Sequence, residues 1–233
     1  MQTVIKGISS MATRQLLAEL AVAFEQQSGC VVLFESVGGV DAVKRIQAGE
    51  AFDLAVLASD AIDKLMATGH IRAGSRVDLV LSGVAVAVRA GSALPDISSE
   101  DAVRLIVRAA RSISYSTGPS GVALAKLFER WGIADEVLAR LVQAPPGVPV
   151  ATLLASGEVE LGFQQLTELM HAKGVAVVGP LPTAIQITTT FSAGVPACAN
   201  ADSFRAEQVR ALLDFMTSPQ TAEAKRRQGM EPA

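Results

Sequence analysis

Two long β-rich stretches constrain this chain more than any other feature in it. Residues 77–90 (Val-Asp-Leu-Val-Leu-Ser-Gly-Val-Ala-Val-Ala-Val-Arg-Ala) and residues 185–197 both outrun the five or six residues of an ordinary strand. Around them, strand-like runs alternate with helix-like runs. Strands are expected at 4–9, 30–35 and 53–57. Helices are expected at 11–28, at 40–48, and from a Ser59 or Asp60 cap to Gly69. In the first helix Leu16, Leu17, Leu20, Ala21 and Phe24 recur on one face, and Gly29 supplies the stop. This β-α order implies a mainly parallel sheet with helices on both faces.

A second unit follows the first long stretch. It carries a helix capped by Ser98 and Asp101, a strand at 112–116, and a helix with Leu124, Leu127, Phe128 and Trp131. Helices are expected next at 135–143 and Val150–Ser156, then strands at 159–163 and 175–178. The chain closes with helices at Ser203–Thr217 and from Pro219. Two long strands bracketing a middle unit predict two α/β lobes joined by two crossings. Lobe I would comprise 1–80 with 192–233, and lobe II 81–191. The competing reading is one open α/β domain.

Composition narrows the function. Of 233 residues, 50% are hydrophobic and 18% charged, so the chain can bury a substantial core and is not globally disordered. No apolar run reaches the roughly 18 residues of a membrane helix, so no membrane insertion is expected. The net charge of −3 gives no nucleic-acid surface. Ten aromatic residues are too few for base-stacking platforms. Cys30, Cys198, His70 and His171 have no zinc spacing, so neither a metal nor a cofactor is expected. The cysteines read as two buried thiols rather than a disulfide. Lys6 interrupts the first apolar run, and no signal-peptide pattern is present. The expectation is therefore cytoplasmic if Met1 is the natural start, periplasmic if a leader was removed.

In open α/β sheets, ligands bind beyond the carboxyl ends of the strands, where helix N-termini converge. Four strand-to-helix junctions carry small polar or Gly-rich residues: Gly7-Ile8-Ser9-Ser10, Ser36-Val37-Gly38-Gly39, Ser116-Thr117-Gly118-Pro119-Ser120-Gly121 and Pro145-Pro146-Gly147. Small residues let an anion approach the backbone N–H groups of a helix start. The ligand-binding candidates are Ser9, Ser10, Met11, Gly38, Gly39, Ser116, Thr117, Gly118, Ser120, Gly121, Gln164 and Gln165. Acidic residues occupy the first turn at Asp60, Glu100 and Asp135. The helices after Ser10 and Gly118 instead bring cations, Arg14 and Lys126, and a bound anion would supply the missing counter-charge. Lys6, Arg14, Lys44 and Arg89 are candidate cations for a carboxylate. Solvated surface is the ordinary role for each. Glu35 and Tyr115 are candidate proton-transfer groups, although a helix cap and a buried ring explain them equally well.

At these residues the chain resembles the type II periplasmic solute-binding proteins, in their molybdate-binding-like branch. The resemblance is carried by Ser9-Ser10, by Phe24-Glu25-Gln26-Gln27-Ser28-Gly29, and by Lys44-Arg45-Ile46-Gln47-Ala48-Gly49-Glu50-Ala51-Phe52-Asp53-Leu54-Ala55-Val56. Ala155-Ser156-Gly157-Glu158-Val159-Glu160-Leu161-Gly162 and the closing helices add to it. It implies two α/β lobes with a ligand cleft between them and an oxyanion held by serine hydroxyls and N–H groups. The first serine position falls on Ser9 or Ser10. The second falls on Gly39 or Val40, where no hydroxyl is available, and Gln164-Gln165 stand where such binders often carry a tyrosine. Ser116–Gly121, Pro145-Pro146-Gly147-Val148-Pro149 and Leu161-Gly162-Phe163-Gln164-Gln165-Leu166 are similar to a side branch of bacterial aconitate isomerases. That likeness implies an allylic proton shift between cis- and trans-aconitate.

Two readings follow. The first is a binder of a small anion, a polycarboxylate rather than molybdate, partnered by a membrane transporter if exported. The alternative is an isomerase of a small tricarboxylate on the same fold. A cytoplasmic sensor is a third, with no DNA-binding segment to support it.

Overall fold

The computed structural model describes residues 4–145, 147–199 and 202–233. In chain order the elements are β1 (Val4–Ser10), α1 (Arg14–Ser28), β2 (Val31–Val37), α2 (Gly39–Gln47), β3 (Leu54–Ala58), α3 (Ser59–Ala67) and β4 (Val77–Arg89). Then come α4 (Glu100–Ala109), β5 (Ile113–Tyr115), α5 (Pro119–Arg130), α6 (Ala134–Val137), β6 (Leu141–Gln143), α7 (Val150–Ser156), β7 (Leu161–Gln165) and α8 (Leu166–Leu169). The chain ends with β8 (Val175–Pro180), β9 (Thr188–Gly194), α9 (Ser203–Thr217), α10 (Ala222–Arg227) and β10 (Met230–Pro232). It divides into two compact units, Met1–Leu81 with Thr190–Ala233, and Ser82–Thr189. The strands β4 and β9 carry the chain from one unit into the other.

In the first unit the strand order is β2-β1-β3-β9-β4, with β10 added on β4. β1 pairs in parallel with β2 and β3, and β9 runs antiparallel to β3. Both faces are covered, which is why β3 reads as an unbroken apolar run. Leu54 and Val56 face the core built with Leu16, Leu20 and Phe24 of α1 and Leu212 and Met216 of α9. Ala55 and Leu57 face Ile46 of α2 and Ile62 and Leu65 of α3. Gly29 ends α1 at φ 72°, a left-handed position that favours glycine.

In the second unit the order is β8-β4-β7-β5-β6. The sequence Val84-Ala85-Val86-Ala87-Val88 sorts its two residue types by period 2. The valines pack with α4 and α5, through Val103, Val107, Leu124 and Phe128. The alanines pack against Val150 and Leu154 of α7. Room is short on that side: a Cβ on Gly162 would stand 2.7 Å from both Leu154 and Val150.

Several local expectations are corrected. The helix expected at 135–143 is only α6 and one 3-10 turn, Leu138–Arg140, after which β6 pairs in parallel with β5. Arg140, the last residue of that turn, donates to the carbonyls of Arg108 and Ala110. The α4 cap is Ser99, whose Oγ accepts from the Ala102 N–H at 3.2 Å, rather than Ser98. α3 starts with no side-chain cap. Residues 11–13 form a 3-10 turn before α1. The second long stretch contains only the seven residues of β9, after a 3-10 turn at Thr183–Ile185. β10 had no signal in the sequence, because three residues are too few to show a period. Cys198 is exposed, not buried; Cys30 is buried, and the two form no disulfide.

Candidate functional site

Parallel pairing brings the carboxyl ends of β1 and β2 together, with Ser9 opposite Ser36 and Ser10 opposite Val37. The two serines of a matched pair face the same side, and their hydroxyls meet, Ser9 Oγ to Ser36 Oγ at 2.8 Å. Ser9 is fully buried. Ser36, named in the second junction but not among the ligand candidates, thus brings a hydroxyl beside Ser9. Ser10 is also buried, and its Oγ has no hydrogen-bond partner among the described residues. Its carbonyl accepts from Thr13 Oγ1 at 3.1 Å, fixing the 3-10 turn that leads into α1. Met11 opens that turn and is half-buried. Neither the turn nor the first turn of α1 contains an acidic residue. Gly38 stands at the N-cap of α2, and a Cβ on Gly39 would meet nothing within 4 Å, so the backbone there is open to a ligand.

The second unit repeats the motif. Tyr115 ends β5, the chain passes Ser116-Thr117-Gly118, and α5 starts with Pro119 in its first turn and Gly118 at its N-cap. Ser116 Oγ lies 3.3 Å from Ser120 Oγ, with Ser120 buried and no acidic residue in the first turn. Gly121 is required by close approach: a Cβ there would stand 1.9 Å from the Ser116 carbonyl oxygen. The fourth junction includes Pro146, which lies outside the described residues.

Other candidates are placed elsewhere. Strand alternation turns Glu35 away from the Ser9–Ser36 pair. Its carboxylate is gripped by Arg45 at 2.5 and 2.8 Å, which holds its pKa below the ordinary range. Arg45 also binds Glu50, so Glu35 belongs to an exposed ion-pair cluster. Tyr115 packs its ring with the α4–α5 core. Lys6 lies in the middle of β1 and Lys44 in the last turn of α2, both exposed. Arg89 ends β4 beside Gly157, whereas Ala85 and Val84 of the same strand pair with Gln164 and Gln165. Four to five residues of strand, roughly 15 Å, separate Arg89 from that end of the sheet. Arg14, at the start of α1, is the candidate cation that stays at a junction.

Gln164 and Gln165 are both buried, and both amides are engaged. Gln164 Oε1 accepts from the Val150 N–H at 2.9 Å, capping α7, and Nε2 donates to Glu168 at 2.7 Å. With its amide oriented to satisfy both ends, Gln165 accepts from Thr189 Oγ1 and donates to Ser82 Oγ, each at 2.8 Å. The glutamines are structural ties here rather than open ligand donors. Glu168, which sequence reasoning missed, has its carboxyl pushed up to about 7 by burial.

Among the described residues no group of His, Cys, Asp and Glu could hold a metal ion, and no helix is long and apolar enough to cross a membrane. The fold is that of the type II periplasmic solute-binding proteins. The sequence matches the model of the bacterial extracellular solute-binding proteins over residues 5–231, and the chain belongs to that family. It is 34% identical over 236 residues to an aconitate isomerase of a Pseudomonas species, covering 99% of this chain and 88% of that protein. The periplasmic molybdate-binding protein of Azotobacter vinelandii shares the fold with a TM-score of 0.78 at 21% identity, covering 97% of this chain and 98% of the other. The sulfate-binding protein of Mycobacterium tuberculosis does so with 0.76 at 16% identity, covering 100% and 88%.

Proposed function

We propose that this chain binds small polycarboxylates, and that a strand-to-helix junction in each unit offers hydroxyl and backbone N–H donors to a carboxylate. One observation carries the reading. In both units a pair of serine hydroxyls closes the end of a strand where a helix without acidic residues in its first turn begins. Such a helix start favours an anion, because its N–H groups and dipole have no internal counter-charge. The donors proposed in the first unit are Ser9, Ser10, Ser36 and the N–H group of Met11, with Gly38 and Gly39 beside them at the start of α2, whose first turn does carry Asp41. In the second they are Ser116, Ser120 and the N–H groups of Thr117 and Gly118, with Gly121 giving the close approach that positions the loop. The unpartnered Ser10 hydroxyl supports this assignment, since a buried hydroxyl without a partner is costly unless a ligand completes it. Delivery of the bound anion to a membrane transporter is the role proposed from the family.

A second reading is favoured by the likeness to an aconitate isomerase: the bound polycarboxylate would be isomerised by an allylic proton shift. One methylene C–H bond breaks, the double bond moves along, and a C–H bond forms at the former vinyl carbon. The test is a thermal-shift panel with molybdate, tungstate, sulfate, phosphate, citrate, and cis- and trans-aconitate. A ligand at 100 times its Kd adds about 2.7 kcal/mol, roughly 5–11 °C for a chain of this size. Stabilisation by the tricarboxylates is the expected result, and a shift with molybdate or tungstate alone would refute the polycarboxylate reading. Proton NMR of cis-aconitate incubated with the protein then separates binder from isomerase.

A further inference from the structure

A cavity of about 370 Å³ lies in the first unit, away from the serine junction. Asp53, which precedes β3, lines it, and Arg205 in its wall bonds the carbonyl of Val4 at the start of β1. Ser9 and Ser10 are at the other end of β1, roughly 20 Å along the strand. The charged lining is three arginines, Arg72, Arg205 and Arg210, and one carboxylate, Asp53. Val209 and Leu213 of α9 contribute to an apolar wall.

The charges do not balance. Asp53 is buried and already satisfied: Arg205 Nη1 reaches it at 3.0 and 3.3 Å, and the Lys6 N–H donates to it at 2.9 Å. That pair neutralises itself. Arg72 spends one donor on the Ala199 carbonyl, at 2.6 Å. Arg210 makes no hydrogen bond or ion pair among the described residues. The half-buried Arg72 and the exposed Arg210 therefore border one apolar-walled space without a carboxylate of their own. A guanidinium has five N–H donors in a fixed fork that matches a carboxylate, and small-ligand pockets combine an apolar lining with a few such groups.

We propose that this cavity is a second anion site, which takes a small carboxylate with an aliphatic body through Arg72 and Arg210. It is independent of the serine junctions and does not rest on the function proposed for them. The probe is hexanoate, a monocarboxylate outside the polycarboxylate class proposed for the serine junctions, titrated calorimetrically into the wild-type protein, the double variant Arg72→Gln/Arg210→Gln, the single variant Arg210→Gln, and Ser9→Ala/Ser10→Ala. Hexanoate is expected to bind the wild type and the serine variant alike. The double arginine variant should bind at least tenfold more weakly, with the single variant between. Asp53 and Arg205 are untouched, so the arginine variants should melt within a few degrees of wild type. Equal affinity in wild type and Arg210→Gln would overturn the proposal. So would loss of binding in the serine variant, or no binding to wild type at millimolar hexanoate.

Discussion

Replacing Glu168 by glutamine should make the protein more stable in alkaline solution and leave it nearly unchanged in acid. The carboxyl is pushed up to about 7 from an ordinary 4.5, because burial penalises its charged form. Its hydrogen bond from Gln164 Nε2, at 2.7 Å, favours the charge but does not outweigh the burial. Between pH 4.5 and 7 the folded protein holds a proton that the unfolded chain releases. A raised folded pKa therefore contributes stability that is complete below about 4.5 and is lost as pH rises through about 7. At 1.36 kcal/mol per pH unit, the wild type forfeits about 3 kcal/mol across that window. A glutamine can still accept from Gln164 and has nothing to titrate. The assay is urea unfolding of both proteins at pH 5, 6, 7 and 8. The two should agree within about 1 kcal/mol at pH 5, and the variant should lead by about 3 kcal/mol at pH 8. In thermal melts that lead is roughly 6–12 °C. Parallel pH profiles for the two proteins would refute the reasoning and place the Glu168 charge in water.

Other substitutions probe the junctions and the core. Ser10→Ala removes a buried hydroxyl with no partner, so stability should hold or rise by up to about 1 kcal/mol while anion affinity in the thermal-shift panel falls about tenfold. A clear loss of stability would mean that the hydroxyl is bonded in the free protein. Gly121→Ala forces a Cβ against the Ser116 carbonyl oxygen and should cost about 1–3 kcal/mol in urea unfolding, with loss of anion binding as the Ser116–Gly118 loop is displaced. Arg205→Ala leaves the buried Asp53 carboxylate with only the Lys6 N–H and should cost about 3 kcal/mol. A cost under about 1 kcal/mol would show that water reaches Asp53.

The parts of this protein legible in its sequence are those written in local period. The apolar face of α1, the run of β3, the long β4 and the Gly29 stop each follow from spacing within one segment, since a strand repeats every 2 residues and a helix every 3.6. The serine and glycine junctions were legible for the same reason, as small residues between a strand pattern and a helix pattern. What the tertiary structure decided lies between segments. Ser36 joins Ser9 only because β1 and β2 pair in one register, and a shift of one residue would have presented Glu35 instead. Arg89 is removed from the candidate end of its sheet because β4 and β7 run antiparallel. Gln164 and Gln165 follow a strand as a ligand pair would, yet a helix start and a neighbouring strand claim both amides. Glu168 reads as an ordinary acid in a first helical turn. Burial makes it a carboxyl poised near neutrality, because desolvation is a property of what surrounds a residue and not of the residues beside it in the chain.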